Sequence, residues 1–101
     1  MEKGTQGGIK ELIKLKVKEP RKYKVIFIND DFTPMDFVVM VLTQVFRKSE
    51  VEAEAIMLAV HEKGQAMVGV YTLDEAMTRS NQTMQMARAE GYPLRVKCEP
   101  E

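Results

Sequence analysis

The chain has 101 residues, a mass of 11.5 kDa and no net charge at pH 7, which allows one compact domain with a tail and excludes a multidomain enzyme. Its composition, 45% hydrophobic and 30% charged, is that of an ordinary globular protein, and its longest apolar runs, of six residues each, are far shorter than the roughly 20 residues of a membrane-spanning helix. A single cysteine, Cys98, excludes an internal disulfide framework and a zinc site built from several cysteines.

Residues 1–22 are predicted to form a flexible, disordered N-terminal extension that precedes a core domain of residues 23–101. Residues 1–8 are polar and rich in glycine and lack the apolar stretch of a secretory signal, so a cytoplasmic protein is expected. The alternation of Leu15 and Val17 with lysines is compatible with a short strand or with an extended tail.

Charge is distributed unevenly along the chain. The first 24 residues hold eight basic and three acidic groups, a balance of +5 that the rest of the chain offsets. An acidic globular part repels phosphate, so this pattern disfavours a nucleic-acid partner. The basic tail is then either a solvated leader that keeps the protein soluble or a handle for a larger assembly.

The first elements of the domain are a strand, a polar turn and a helix. Apart from Lys24, the residues of Tyr23–Ile28 are all β-branched or aromatic, which predicts a strand buried on both faces. The short polar side chains of Asn29–Asp31 end this strand in a turn. Thr33 suits the N-cap of a helix and Pro34 its first position, so a first helix is predicted over residues 34–47.

A second helix and a second strand follow. Ser49 with Glu52 three residues later forms a capping box, which predicts a helix that stops at Gly64. Residues 66–71 then predict a strand, in which Gly69 marks a bulge or a close approach of the backbone to a neighbour.

The last two elements complete an α+β domain. Thr72 with Glu75 forms another capping box and predicts a third helix over residues 73–90, with Gly91 just beyond its end. Residues 94–97 predict a final strand. The order β-α-α-β-α-β predicts a single domain with a small three-stranded antiparallel sheet packed against three helices.

Residues that can carry chemistry occur at one strand-to-helix junction and on the second helix. Four polar residues follow the first strand: Asn29, Asp30, Asp31 and Thr33. His61, the only histidine, shares a face of the second helix with Met57 and Val60. Taken singly, a polar turn and a lone histidine are more typical of turn chemistry and of a structural role than of a site.

An enzyme is the less favoured interpretation of these residues. Asp30, Asp31 and His61 have the ligand types of a metal site, but adjacent carboxylates after a strand point to opposite faces, so only one of them easily joins the histidine. The chain has no Gly-rich phosphate loop, no CxxC pair and no HExxH motif. A metal-dependent hydrolase that uses Asp31 and His61 remains the alternative to a binding protein.

Read together, these residues match a known pattern. The sequence closely resembles the ClpS family of bacterial adaptor proteins in two segments, NDDFTPMDFV at residues 29–38 and MLAVH at residues 57–61. The similarity extends over residues 23–96, essentially the whole predicted domain. Three residues depart from the common family pattern, and none of them is a proposed ligand: Phe32, Asp36 and Tyr92.

The resemblance implies an N-end rule adaptor, not an enzyme, that works without a cofactor or a metal. Such an adaptor binds the free N-terminal residue of a substrate protein, typically Phe, Tyr, Trp or Leu. It delivers that protein to the ATP-dependent ClpAP protease, whose AAA+ unfoldase is ClpA. The resemblance also implies a monomer in the bacterial cytoplasm, with the N-terminal extension as the delivery handle.

The resemblance further assigns residue roles. Asn29, Asp31 and His61 would hold the α-ammonium group of the substrate. A hydrophobic pocket for its first side chain would be lined by Thr33, Met35, Val38, Met57, Val60 and Leu94, with Met35 as the gate that disfavours β-branched residues. Asp74 and Arg79 would contact the unfoldase. A plain interaction domain, similar to the C-terminal fold of the ribosomal stalk protein, is the other alternative.

Overall fold

The computed structural model describes residues 21–101, so the extension predicted over residues 1–22 lies almost entirely outside the described part of the chain. The described elements follow the order β-α-α-β-α-β, which confirms the predicted α+β class. They are β1 (Tyr23–Ile28), α1 (Met35–Gln44), α2 (Glu50–Lys63), β2 (Gln65–Tyr71), α3 (Leu73–Ala89) and β3 (Arg95–Pro100). No helix among residues 21–101 combines the length and the apolarity needed to cross a bilayer.

The sheet is antiparallel with β1 at its centre, in the order β2-β1-β3. This position explains why the middle of β1 is apolar: Val25 and Phe27 are fully buried in the core, and Ile26 is only 6% exposed. The helices pack against the face that carries Val25 and Phe27, together with the buried residues of α1. One end of β1 therefore leads directly from this core into the polar turn before α1.

A bulge interrupts the pairing of β1 with β2. Val25 lies opposite Gly69 but Ile26 lies opposite Met67, so one residue of β2 is left without a direct partner. A Cβ atom on Gly69 would lie 2.7 Å from the hydroxyl oxygen of Tyr71, which is closer than two such atoms can approach. Both predicted reasons for glycine at this position, a bulge and a close approach, are confirmed.

Helix α1 is shorter than the predicted 34–47. Its N-cap is Pro34, and the prediction of Thr33 as the cap is wrong because the Thr33 hydroxyl donates to a carboxylate in the turn instead. The helix ends at Gln44 because the chain turns at Arg47, which has a left-handed φ of 59°. The N–H of Lys48 then donates to the carbonyl of Leu42 at 3.0 Å and closes the turn.

The predicted signals at the ends of α2 are confirmed. Ser49 and Glu52 form a complete capping box, and Gly64 ends the helix with a left-handed φ of 88°. At Thr72 only half of the predicted box forms. The N–H of Glu75 donates to the Thr72 hydroxyl at 3.3 Å, but that hydroxyl, rather than the Thr72 N–H, faces the Glu75 carboxylate.

Strand β3 covers Arg95–Pro100 and is longer than the predicted 94–97. Its additional residues pair with the beginning of β1, where Pro100 lies opposite Tyr23. A proline is tolerated there because β3 is an edge strand and the residue ends it. The shift leaves Leu94 just before the strand, where its side chain is 1% exposed within the core.

Candidate functional site

The turn between β1 and α1 is organised by the side chain of Asp30. One carboxylate oxygen accepts hydrogen bonds from the N–H groups of Phe32 at 2.8 Å and Thr33 at 2.7 Å. The other oxygen accepts the Thr33 hydroxyl at 2.8 Å. Partial burial raises the pKa of Asp30, but these hydrogen bonds outweigh it and hold the pKa below its ordinary value. The turn is thus built around a charged carboxylate.

A second contact joins this turn to the end of α2. The N–H of Asn29 donates to the carbonyl of Gly64 at 2.9 Å, and the N–H of Gly64 donates to the carbonyl of Val60 at 3.0 Å. Because Gly64 adopts a left-handed conformation, the chain reverses direction directly after the helix. The first residue of the turn is therefore anchored to the last turn of α2, which also carries His61.

A cavity of about 200 Å³ lies between the turn, the beginning of α1 and the last half of α2. It opens to solvent, since its lining residues Asp31, Met35 and His61 are exposed, whereas Val38 is buried. An apolar cavity of about 150 Å³ is large enough to hold a benzene molecule. Its lining residues are Asn29, Asp30, Asp31, Thr33, Met35, Val38, Met57 and His61.

The cavity brings together seven of the nine residues expected to bind a substrate N-terminus. The other two, Val60 and Leu94, do not line it: they are 3% and 1% exposed and belong to the hydrophobic core. Asp30 lines the cavity although it was not assigned a binding role. Its position directly after Asn29 and before a Thr-Pro helix start is the sequence signal that could have identified it as the organiser of the turn.

Asp74 and Arg79 lie on α3, apart from this cavity, and share a shallow depression. Asp74 is exposed. The Arg79 guanidinium donates to the carbonyl of Val45 at 2.7 Å, lies 3.6 Å from the Glu75 carboxylate and stacks 5.5 Å from the centre of the Tyr71 ring. Arg79 therefore caps the carboxyl end of α1 in addition to any contact with a partner.

Within residues 21–101, no three His, Cys, Asp or Glu side chains are grouped in a way that could hold a metal ion. Both carboxylate oxygens of Asp30 are already bonded to the turn. The alternative of a hydrolytic metal site at Asp31 and His61 has no supporting geometry in this part of the chain.

Comparison with known proteins decides the family. Residues 18–97 match the family model described as "ATP-dependent Clp protease adaptor protein ClpS". The chain belongs to the ClpS family. It is 54% identical over 98 residues to the ClpS adapter protein of Deinococcus radiodurans, covering 97% of this chain and 87% of that relative. It is 48% identical over 99 residues to that of Treponema denticola, covering 98% of this chain and 96% of that relative.

A solved ClpS structure has the same fold. Agrobacterium tumefaciens ClpS2, bound to L-phenylalaninamide, is 40% identical and superimposes with a TM-score of 0.79, covering 82% of this chain and 100% of that chain. As a ClpS family member, the protein is an adaptor of the ATP-dependent Clp protease. The resemblance stated from residues 29–38 and 57–61 is thereby confirmed.

Proposed function

We propose that this adaptor binds the free N-terminal residue of a substrate protein in the cavity between the turn and α2. The observation that carries the proposal is the composition of the cavity wall. Hydrogen-bond acceptors and a carboxylate occur on the same small cavity as apolar side chains. An N-terminal residue with a large apolar side chain presents the complementary groups, an ammonium next to a hydrophobic group.

The polar residues suit an α-ammonium group. An ammonium carries three N–H donors and cannot leave water without acceptors for them. The Asn29 carbonyl oxygen, the Asp31 carboxylate and an unprotonated nitrogen of His61 are three such acceptors, and Asp31 supplies a compensating charge. Hydrogen bonds to charged groups contribute about 1.5–3 kcal/mol each. Loss of the ammonium charge should therefore remove most of the affinity.

The apolar residues suit the first side chain of the substrate. Met35, Val38 and Met57 line the cavity, and burial of a Leu or Phe side chain contributes roughly 1.5–3 kcal/mol. Thioether side chains are flexible and polarisable, so methionine walls adapt to several apolar shapes. The proposal is supported by the related Agrobacterium tumefaciens ClpS2, whose ligand L-phenylalaninamide has a phenyl side chain and a free α-amino group. Phe, Tyr, Trp and Leu are the expected N-terminal residues.

The proposal includes delivery of the bound protein to a ClpA-type AAA+ unfoldase for degradation. The exposed Asp74 and the partly engaged Arg79 on α3 are the residues proposed to contact it, on a surface separate from the cavity. Residues 1–22 are proposed as the handle that the unfoldase engages. The adaptor acts as a monomer in the bacterial cytoplasm, and it is a binding protein rather than an enzyme.

Isothermal titration of the full chain with a four-residue peptide that begins with Phe tests this function. We expect a dissociation constant around micromolar or tighter, without added metal, after the cost of association is subtracted. The N-acetylated copy of the same peptide is the control and should bind at least 100-fold more weakly. Equal binding of both peptides, or no binding of either, would contradict the proposal and favour a plain interaction domain.

A further inference from the structure

The polar turn that forms one wall of the cavity depends on a single side chain. Residues 30–33 make no backbone-to-backbone hydrogen bond with any other part of residues 21–101. The N–H groups of Phe32 and Thr33 and the Thr33 hydroxyl are bonded to Asp30 instead. Removal of this carboxylate would leave three donors without their partner, so the turn would lose the contacts that define its shape.

Asp30 and Asp31 are adjacent, but their surroundings differ. The carboxylate of Asp30 has one oxygen occupied by two N–H groups and the other by a hydroxyl. Asp31 is exposed and forms neither a hydrogen bond nor an ion pair with another group of residues 21–101. Of the two carboxylates, Asp31 is the one with its lone pairs available for an ammonium group.

We infer that Asp30 is a positioning residue of the binding site: it fixes the turn that presents Asn29 and Asp31 and does not itself bind the substrate ammonium. The inference rests on the proposed function of the cavity. Asn29 is held from one side by the carbonyl of Gly64, at 2.9 Å, and Asp30 holds the turn from the other side. The backbone is thus held at Asn29 and again at Phe32 and Thr33, on either side of Asp31, so the acceptors are in place before the ligand arrives.

Two substitutions separate positioning from direct binding. Asp30→Asn removes the charge but keeps an oxygen that accepts the Phe32 and Thr33 N–H groups, and its amide can donate to the Thr33 hydroxyl. Asp30→Ala removes all three hydrogen bonds that the carboxylate accepts. In titrations of the full chain with the Phe-initiated peptide, we expect Asp30→Asn to bind within about threefold of the parent and Asp30→Ala to bind at least tenfold more weakly. Equal losses in both variants would show that the charge contacts the ammonium and would overturn the inference.

The neighbouring carboxylate provides the matched control. Asp31→Asn is expected to weaken peptide binding at least tenfold, because the uncompensated ammonium loses its charged partner. If Asp30 only positions the turn, Asp31→Asn should lose peptide affinity and Asp30→Asn should not. The reverse pattern, with Asp30→Asn the weaker binder, would assign the ammonium to Asp30.

Amide hydrogen exchange of the unliganded protein tests the turn without any peptide. The Phe32 and Thr33 amides should exchange at least tenfold faster in Asp30→Ala than in the parent and Asp30→Asn, while amides of β1 are unchanged. Unchanged exchange in Asp30→Ala would refute the role of Asp30 in the turn whether or not the parent binds peptide. Faster exchange with full peptide affinity would refute the link between the turn and binding. Failure of the parent to bind the peptide would instead refute the proposed function.

Discussion

Substitution of Gly64 by alanine is expected to weaken both the fold and the site by amounts that can be separated. Gly64 has a φ of 88°, and a Cβ atom there would meet nothing within 4 Å, so the substitution introduces backbone strain but no clash. A left-handed conformation costs an L-residue roughly 1–2 kcal/mol, and alanine recovers about 0.4–1 kcal/mol by restricting the unfolded chain. The net loss is about 1 kcal/mol, a fall in Tm of roughly 4–8 °C for a domain of this size.

The effect of this substitution on binding follows from the anchor of Asn29. Strain at Gly64 shifts the carbonyl that accepts the Asn29 N–H at 2.9 Å. A hydrogen bond contributes about 1 kcal/mol. Loss of the bond that holds Asn29 in place before the ligand binds should therefore weaken binding of the Phe-initiated peptide about fivefold. Thermal unfolding and isothermal titration of the full chain measure the two effects on the same sample.

Gly91 provides a matched control for this experiment. It has a similar φ of 80°, a Cβ atom there also meets nothing within 4 Å, and it does not line the cavity. Gly91→Ala should therefore lower Tm by the same few degrees and leave peptide affinity unchanged. If Gly91→Ala weakened binding as much as Gly64→Ala, the effect on affinity would reflect general destabilisation, and the anchoring role of Gly64 would be refuted.

Three further outcomes are expected. His61→Ala should weaken binding of the Phe-initiated peptide about tenfold or more in isothermal titration, because the ammonium loses one of its acceptors; unchanged affinity would exclude His61 as an acceptor. Met35→Ala should allow Ile- and Val-initiated peptides to bind, because the side chain that excludes a β-branched residue is gone. The gain should be partial, because one methyl group contributes only about 1–3 kcal/mol of discrimination, and an unchanged ratio of Leu-peptide to Ile-peptide affinity would exclude Met35 as the gate. Asp30 should make the fold sensitive to acid. The folded state lowers its pKa below the ordinary 3.8, so its stabilisation is present above that pH and is lost as the pH falls through the lowered value. The free energies of unfolding of the parent and of Asp30→Asn, measured with denaturant, should therefore become equal only in strongly acidic solution. Equal values near neutral pH would contradict a stabilising role of the charged Asp30.

The parts of the fold that were predicted correctly are those determined by nearby residues. The capping box of Ser49 and Glu52 and the left-handed Gly64 lie within the ends of α2 itself, so sequence spacing was sufficient to locate them. The β-branched and aromatic residues of Tyr23–Ile28 likewise identified β1 as a strand with the bounds that the structure shows, but its central position in the sheet is known only from the structure. The gathering of Asn29 and His61 at one cavity was expected from the family pattern and is seen in the structure.

The errors arise where contacts that residue type and spacing do not reveal determine the local structure, whether the partner is distant or near in the chain. Helix α1 ends earlier than predicted, with Val45 as its C-cap. The carbonyl of Val45 accepts a hydrogen bond from the side chain of Arg79, which lies 34 positions later in the chain. The extent of β3 depends on its pairing with β1, and no feature near Pro100 indicates a strand. Thr33 was assigned to the helix cap by its type and spacing, but the carboxylate of Asp30 competes for the same hydroxyl and binds it.

Binding and folding use different interactions in this domain. The core consists of apolar side chains from the sheet and the helices, and it includes Val60 and Leu94, which do not line the cavity. The acceptors of the site are instead held by hydrogen bonds at its edge, from Asn29 to Gly64 and from the turn to Asp30. Loss of one of these edge contacts should therefore change affinity and stability by similar, modest amounts, whereas truncation of Leu94 should reduce stability by about 2–5 kcal/mol. Because thioether side chains are flexible, the methionine walls can adapt to different substrate side chains. The ammonium acceptors keep one position because hydrogen bonds hold the turn that carries them.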